Sequence, residues 1–276
     1  MKVSYVSDIH GDFQAPFHIN SVKWKNRTLA FVDGLIGKDQ TDKEVLIVAG
    51  DLSHFNKQSY WMLEAFSKAY GSVFFTLGNH DFYLVSDNQS RKYKQRSLNR
   101  VNELLTMIEP LENVKALIGF EKHFITDDIT IAGDTFWYPL ETLEQKAFFH
   151  NVSNDSQLIK NVDISLEHEY AMQNYNNLDA ATILVTHIPP ITINSHHQYN
   201  STCCYMTPVT ELKTTHWVFG HCHEQNVYEK PYGNFYINSI GYENEFKNWY
   251  SNAVLASLEE WEQIYENWYS IKSFEV

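Results

Sequence analysis

The sequence is poor in cysteine. It has three in 276 residues, two of them adjacent (Cys203 and Cys204), which makes no disulfide framework and leads us to expect a reducing, cytoplasmic setting. It also lacks any run of about 18 apolar residues, so no segment is expected to span a bilayer. The opening MKVSYVSDIHGD places Asp8, His10 and Asp12 where a secretory leader would carry its apolar stretch, so no leader is expected. Basic charge is short as well: 21 Lys and Arg against 34 Asp and Glu leave −13, a field that repels nucleic acid and anionic membranes unless a local basic patch overrides it. Internal repeats and low-complexity linkers are absent. What remains is 43% hydrophobic and 15% aromatic, enough for a sizeable core and incompatible with wholesale disorder.

Short apolar runs at 45–49 (VLIVA), 73–77, 183–186 and 216–219 read as strands covered on both faces, after a first strand at 2–7 with Val3, Tyr5 and Ser7 on one face. Helix-like stretches near 21–37, 57–70, 97–108, 141–150 and 165–178 lie between them, and weaker strands are expected at 114–125, 129–133 and 235–238. This alternation predicts a layered α/β fold. Leu258, Trp261, Tyr265, Trp268 and Ile271 fall at helical spacing, predicting a packing helix near 257–271. The stretches 86–100 and 194–206 read as long surface loops. The residues with chemical potential run from 8 to 223, so one domain over 1–276 is expected.

Those residues sit immediately after the apolar strands, where α/β folds hold ligands. They are Asp8, His10, Asp51, Asn79, His80, His187, His221 and His223. Carboxylate, imidazole and amide oxygen together suit Mn, Fe or Zn, and no cysteine pair has the spacing of a structural zinc site. In an extended chain Asp8 and His10, two apart, would point the same way and reach one metal. By the same periodicity His221 and His223 would share an ion.

The blocks Asp8-Ile9-His10, Gly50-Asp51, Gly78-Asn79-His80-Asp81, His187 and Gly220-His221-Cys222-His223, in that order, resemble the calcineurin-like metallophosphoesterases. GDTFWYP at 133–139, VTHIPP at 185–190 and INSIGYENEF at 237–246 resemble segments of uncharacterised bacterial and phage members, so the likeness covers most of the chain. The resemblance implies a four-layer αββα sandwich with mixed sheets. It also implies two divalent ions, manganese foremost with iron or zinc as alternatives. Asp8, His10 and His223 would hold one ion, Asn79, His187 and His221 the other, and Asp51 would bridge; here we follow the family over the periodicity. Two ions and a bridging hydroxide set against Asp8 and Asp51 leave about +1, so an acidic protein can still attract a phosphate. In the family the hydroxide attacks a phosphoester clamped by the ions. His80, paired with Asp81, would stabilise the transition state and protonate the leaving oxygen.

The subclass follows from what the motifs omit. The run Gly50-Asp51-Leu52-Ser53-His54 lacks the arginine of phosphoprotein phosphatases, His80 stands where lipid-precursor hydrolases have arginine, and 276 residues leave little room for the capping region of double-strand-break nucleases. A phosphodiesterase or phosphomonoesterase of small molecules or nucleotides is therefore expected. The alternative is a compact single-strand nuclease using Arg91, Lys92, Lys94, Arg96 and Arg100, a segment that reads first as a solvated helix start, and a third reading is a non-catalytic scaffold. Asp12 is expected to orient a ligand or cap its turn, and Cys222 to point into packing. Tyr83 and Tyr138 are expected near the substrate cleft, while His54, His196 and His197 read first as exposed loop histidines, with contact to substrate as the alternative. The sequence carries no signal for or against a second copy of the chain.

Overall fold

The computed structural model describes residues 1–192, 206–242 and 267–276. Its first half runs β1 (Lys2–Val6), α1 (Gly11–Gln14), α2 (Ser21–Lys38), β2 (Val45–Ala49), α3 (Asn56–Ala69), β3 (Ser72–Thr76), α4 (Asp87–Lys92), α5 (Ser97–Ile108) and β4 (Val114–Ala116). Then follow β5 (His123–Phe124), β6 (Thr130–Asp134), α6 (Leu143–Asn151), α7 (Asp155–Leu158), α8 (Ile164–Asn177), β7 (Ile183–Thr186), β8 (His216–Phe219), β9 (Gln225–Lys230), β10 (Gly233–Asn238) and β11 (Lys272–Glu275). One sheet has the order β11-β1-β2-β3-β4, the other β5-β6-β7-β8-β10-β9. Both are mixed: β11, β5 and β9 pair antiparallel to their neighbours, and the inner strands are parallel.

The four layers follow from the two-residue alternation of the strands. In β2, Val45, Ile47 and Ala49 face a core shared with Ile183, Val185 and Val218 of the other sheet. Leu46 and Val48 face the opposite way, into a core with Val32 and Leu35 of α2 and Leu63 and Phe66 of α3. In the second sheet, Leu184, Trp217 and Phe219 face Ala171 and Tyr175 of α8. Two sheets thus pack face to face with helices outside each, the αββα sandwich. Strands buried on both faces read as unbroken apolar runs for this reason.

Two expectations change. Within 86–100, Ser86 caps a helix by accepting from the Gln89 amide, so the expected loop carries α4, while α5 begins at Ser97 where a helix was expected. At the C-terminus, most of 257–271 lies outside the described residues, as do Cys203, Cys204, His196, His197 and most of 194–206. Asn267 and Trp268 are helical, but Ile271 is not. The chain then forms β11, where Phe274 pairs with Val3 and enters the inter-sheet core. Edge pairing on β1 and burial of an aromatic favour strand from Lys272 onward, beyond the expected helix.

Candidate metal centre

Every inner strand that carries a motif block delivers it at its C-terminal end. Asp8 and His10 follow β1, Asp51 follows β2, Asn79 and His80 follow β3, His187 follows β7, and His221 and His223 follow β8. The backbone does not stay extended to do this. Asp8, His10, Asp51, His221 and His223 all have left-handed backbone, with φ of 48°, 44°, 56°, 72° and 49°. Asp8 and His10 therefore converge through successive sharp turns, not through strand alternation as their spacing suggested. Each such turn costs on the order of 1–3 kcal/mol in a non-glycine residue, and such strain collects where function requires it. Two glycines make room. A Cβ on Gly78 would stand 2.1 Å from Asp51 Oδ1, and one on Gly50, at φ +85°, 2.4 Å from His187 Nδ1.

Two sets of donor atoms meet at one carboxylate. His10 Nε2 lies 3.0 Å from His223 Nε2, and His223 Nε2 lies 3.6 Å from Asp8 Oδ1. Asp8, His10, Asp51 and His223 bring one ligand atom each within 4.8 Å of one another, a group able to hold a metal ion. On the other side, His187 Nε2 lies 3.0 Å from Asn79 Oδ1 and 3.2 Å from His221 Nδ1. Asp51 Oδ2 stands between the sets, 3.7 Å from His10 Nε2 and 3.5 Å from His187 Nε2. His221 and His223 thus fall in separate sets, against strand periodicity.

The donor chemistry fits a cation. His187 gives its Nδ1–H to the Ala49 carbonyl at 2.9 Å, so in the neutral ring Nε2 carries a lone pair. Asn79 commits its NH₂ to Asp155 at 2.8 Å, which turns its oxygen inward. Asp51 Oδ2, 3.5 Å from His187 Nε2, is the third ligand atom to converge there. Burial and the neighbouring imidazoles of His80 and His223 hold His10 well below the ordinary histidine range, leaving it a neutral ligand. Burial pushes Asp51 well above the carboxylate range, and the charges of Asp8 and Asp81 add to that. The buried carboxylates Asp8, Asp51, Asp81 and Asp155 face Arg100 as the single fully buried lysine or arginine among the described residues. Positive charge is missing here, and divalent ions would supply it.

His80 is held differently from expectation. Asp81 does not pair with its ring: Asp81 Oδ2 instead accepts the Gly78 and Asp51 amides at 2.9 and 3.0 Å, bracing the two motif turns. The partner is His54, whose Nε2 lies 2.8 Å from His80 Nδ1 with the rings 10° from parallel. His54 in turn gives its Nδ1–H to Asp12 Oδ2 at 2.6 Å. Burial works to raise Asp12, but the hydrogen bonds from His54 outweigh it and keep the carboxylate ionised. His54 is therefore no exposed loop residue, and Asp12 orients His54, not a metal ligand. His80 Nε2 faces the centre, 4.0 Å from Asp51 Oδ2 and 3.5 Å from the Tyr242 hydroxyl. Tyr83 and Tyr138 do not line a cleft: both are buried and donate their hydroxyls to Asp155. Cys222 packs in the helix-side core with Trp217 and Phe219, as expected.

The basic segment is not a uniform surface patch. Arg100 is fully buried and donates to the carbonyls of His80 (2.7 Å), Tyr83 (2.8 Å) and Ser53 (2.5 Å), with Nε on Asn56 Oδ1 (3.1 Å). Lys92 pairs with Glu103 at 2.7 Å. Arg91, Lys94 and Arg96 are exposed.

The sequence profile of the calcineurin-like phosphoesterases matches residues 1–225. The chain is a calcineurin-like phosphoesterase. It is 24% identical over 283 aligned residues, 91% of this chain and 95% of the other, to an uncharacterised protein of Acanthamoeba polyphaga mimivirus. Its fold matches the crystal structure of the phosphopantetheinyl hydrolase of Mycobacterium tuberculosis with a TM-score of 0.65 at 19% identity, over 90% of this chain and 92% of that one. Metal-dependent phosphoester hydrolysis is the chemistry of this family, and divalent ions are what the family implies at this centre. No described helix of this phosphoesterase is long and apolar enough to cross a membrane. Removing metal from it should cost stability. At ion concentrations near 100 times Kd the linkage is about 2.7 kcal/mol. At roughly 2–4 °C per kcal/mol, chelator should lower Tm by about 5–10 °C, and an unchanged melt would show that the buried carboxylates need no cation.

The sequence reading missed the parts played by His54, Tyr242, Arg100 and Asp155. His54 did carry a signal, since it belongs to the same block as Asp51 and Asp12 to the same block as His10.

Proposed function

We propose that the chain is a phosphodiesterase of small phosphorylated molecules, working with two divalent ions, manganese foremost, as one domain over 1–276 in the cytoplasm. Asp8, His10 and His223 would hold one ion, Asn79, His187 and His221 the other, with Asp51 shared. The observation that carries this reading is Asp51 Oδ2, within 3.7 Å of His10 Nε2 and 3.5 Å of His187 Nε2. The bound ions would acidify a water and neutralise the phosphoryl oxygens.

The chain supplies the proton. An alkoxide leaves poorly from a diester unless it is protonated, and His80 directs Nε2 into the centre while His54 accepts from its Nδ1–H. Asp12 stabilises the pair as the imidazolium that His80 must be to donate. Burial and the neighbouring imidazoles lower His80, and the negative charge of a phosphoester beside Nε2 acts in the opposite direction. Phe13, about half exposed (52%), packs 4.6 Å from Tyr242 at the rim and offers an apolar face to an organic substituent. The small-molecule class is supported by the neighbour named for phosphopantetheinyl hydrolysis.

His80→Ala should lower turnover of an alkyl phosphodiester by about 10²–10⁴-fold, with far less effect on bis-p-nitrophenyl phosphate, whose leaving group needs no proton. His54→Phe should reproduce part of that bias. Equal losses on both substrates would remove His80 from the proton-donor role.

A further inference from the structure

Asn79 is a ligand candidate whose two ends differ: an oxygen that can meet a cation and an NH₂ that cannot. Nothing in the motif decides which end faces inward. The structure decides it from behind. Asn79 Nδ2 donates to Asp155 Oδ1 at 2.8 Å and to the Tyr83 hydroxyl at 3.1 Å. Tyr83 donates to the same carboxylate, and Tyr138 donates to its other oxygen. Asp155 is 2% exposed and pairs with no lysine, arginine or histidine among the described residues. The Asp155 oxygens accept from Tyr83, Tyr138 and Asn79 alike, so the amide presents its nitrogen to them and its oxygen to the opposite side, 3.0 Å from His187 Nε2.

We infer that Asp155, with Tyr83 and Tyr138, is a positioning group that locks the Asn79 amide with its oxygen toward the ion held by His187 and His221. Asp155 starts α7, 76 residues beyond Asn79, in a segment that docks through the Leu84 amide on the Leu158 carbonyl at 2.9 Å. The metal affinity of that half of the centre is thereby made to depend on a segment outside the motif blocks. Outer partners of this kind typically change metal affinity by about 10–100-fold.

The inference rests on the two-ion reading above, and the test separates the two. Full-length protein is stripped with chelator and titrated with Mn²⁺ by calorimetry, with metal content measured after dialysis. Wild type should bind two ions; fewer would overturn the two-ion reading before any variant is considered. Given two, Asp155→Asn should weaken one site by about 10–100-fold and leave the other unchanged, because an amide at 155 no longer dictates which end Asn79 presents. Asn79→Asp alone should also weaken one site, setting two carboxylates face to face. The exchange of both, Asn79→Asp with Asp155→Asn, should recover affinity to within several-fold, since a carboxylate at 79 offers oxygen at either end. A structural contact would show no such recovery. Unchanged affinity in Asp155→Asn, or no recovery in the exchange, overturns the inference. If Asp155→Asn fails to fold, Tyr138→Phe carries the test: a smaller loss at one site supports the lock, and none overturns it.

Discussion

Asp51→Asn is expected to lower turnover by about 10³-fold, the loss of several kcal/mol of transition-state stabilisation. The effect is specific because the two carboxylate oxygens do different things. Oδ1 accepts the His80 amide at 2.9 Å, a bond that asparagine keeps with its own oxygen. The NH₂ must then occupy the place of Oδ2, between His10 Nε2 and His187 Nε2, where it cannot ligate. Stability should move the other way. Burial and the charges of Asp8 and Asp81 disfavour ionised Asp51, so the neutral variant should melt no lower than wild type without metal. Hydrolysis of bis-p-nitrophenyl phosphate with Mn²⁺, metal content and paired melts with and without chelator check this. Near-wild-type turnover with full metal content would refute a shared carboxylate.

Arg100→Met should be the most destabilising single change in the segment 91–100. It leaves the His80, Tyr83 and Ser53 carbonyls without their donor and Asp81 without its nearest positive charge. Each buried acceptor left unsatisfied costs about 1–3 kcal/mol, so the loss of three, partly relaxed, costs about 3–5 kcal/mol. At roughly 2–4 °C per kcal/mol, Tm should fall by about 6–20 °C. Lys94→Ala and Arg96→Ala, at exposed positions, should stay within about 0.5 kcal/mol of wild type. A denaturant or thermal melt of the three variants decides the matter, and equal effects would show that Arg100 is no more structural than its neighbours. Because the Arg100 guanidinium holds both the loop carrying His80 and the loop carrying Ser53 and His54, its loss should also blur the register of His80 against His54.

The fold was legible because strands buried on both faces must read as apolar runs, and those runs stand at 45–49, 183–186 and 216–219 within a residue of the strands observed. The very end of the chain lay beyond local reading, because Ile271 falls outside a helix and the pairing of β11 with β1 is a contact between the two ends of the chain. Local periodicity carries no information about such a partner.

For the site, the sequence alone determined which candidate side chains arrive and in what order, since each motif block must follow a strand for its residues to meet at one sheet edge. Tertiary structure decided the rest. It separated His221 from His223 through left-handed turns that spacing cannot show, and it exchanged Asp81 for His54 as the partner of His80. Arg100, one of five basic residues in a short segment, became a buried brace, and Asp155, unremarked in the sequence, became the acceptor behind Asn79. Each of these depends on which polar atoms are shut away from water together, and a buried donor or acceptor takes whatever partner the packing brings. Residue type and spacing name the atoms able to do chemistry; the packing chooses which of them face the centre and which hold the others in place.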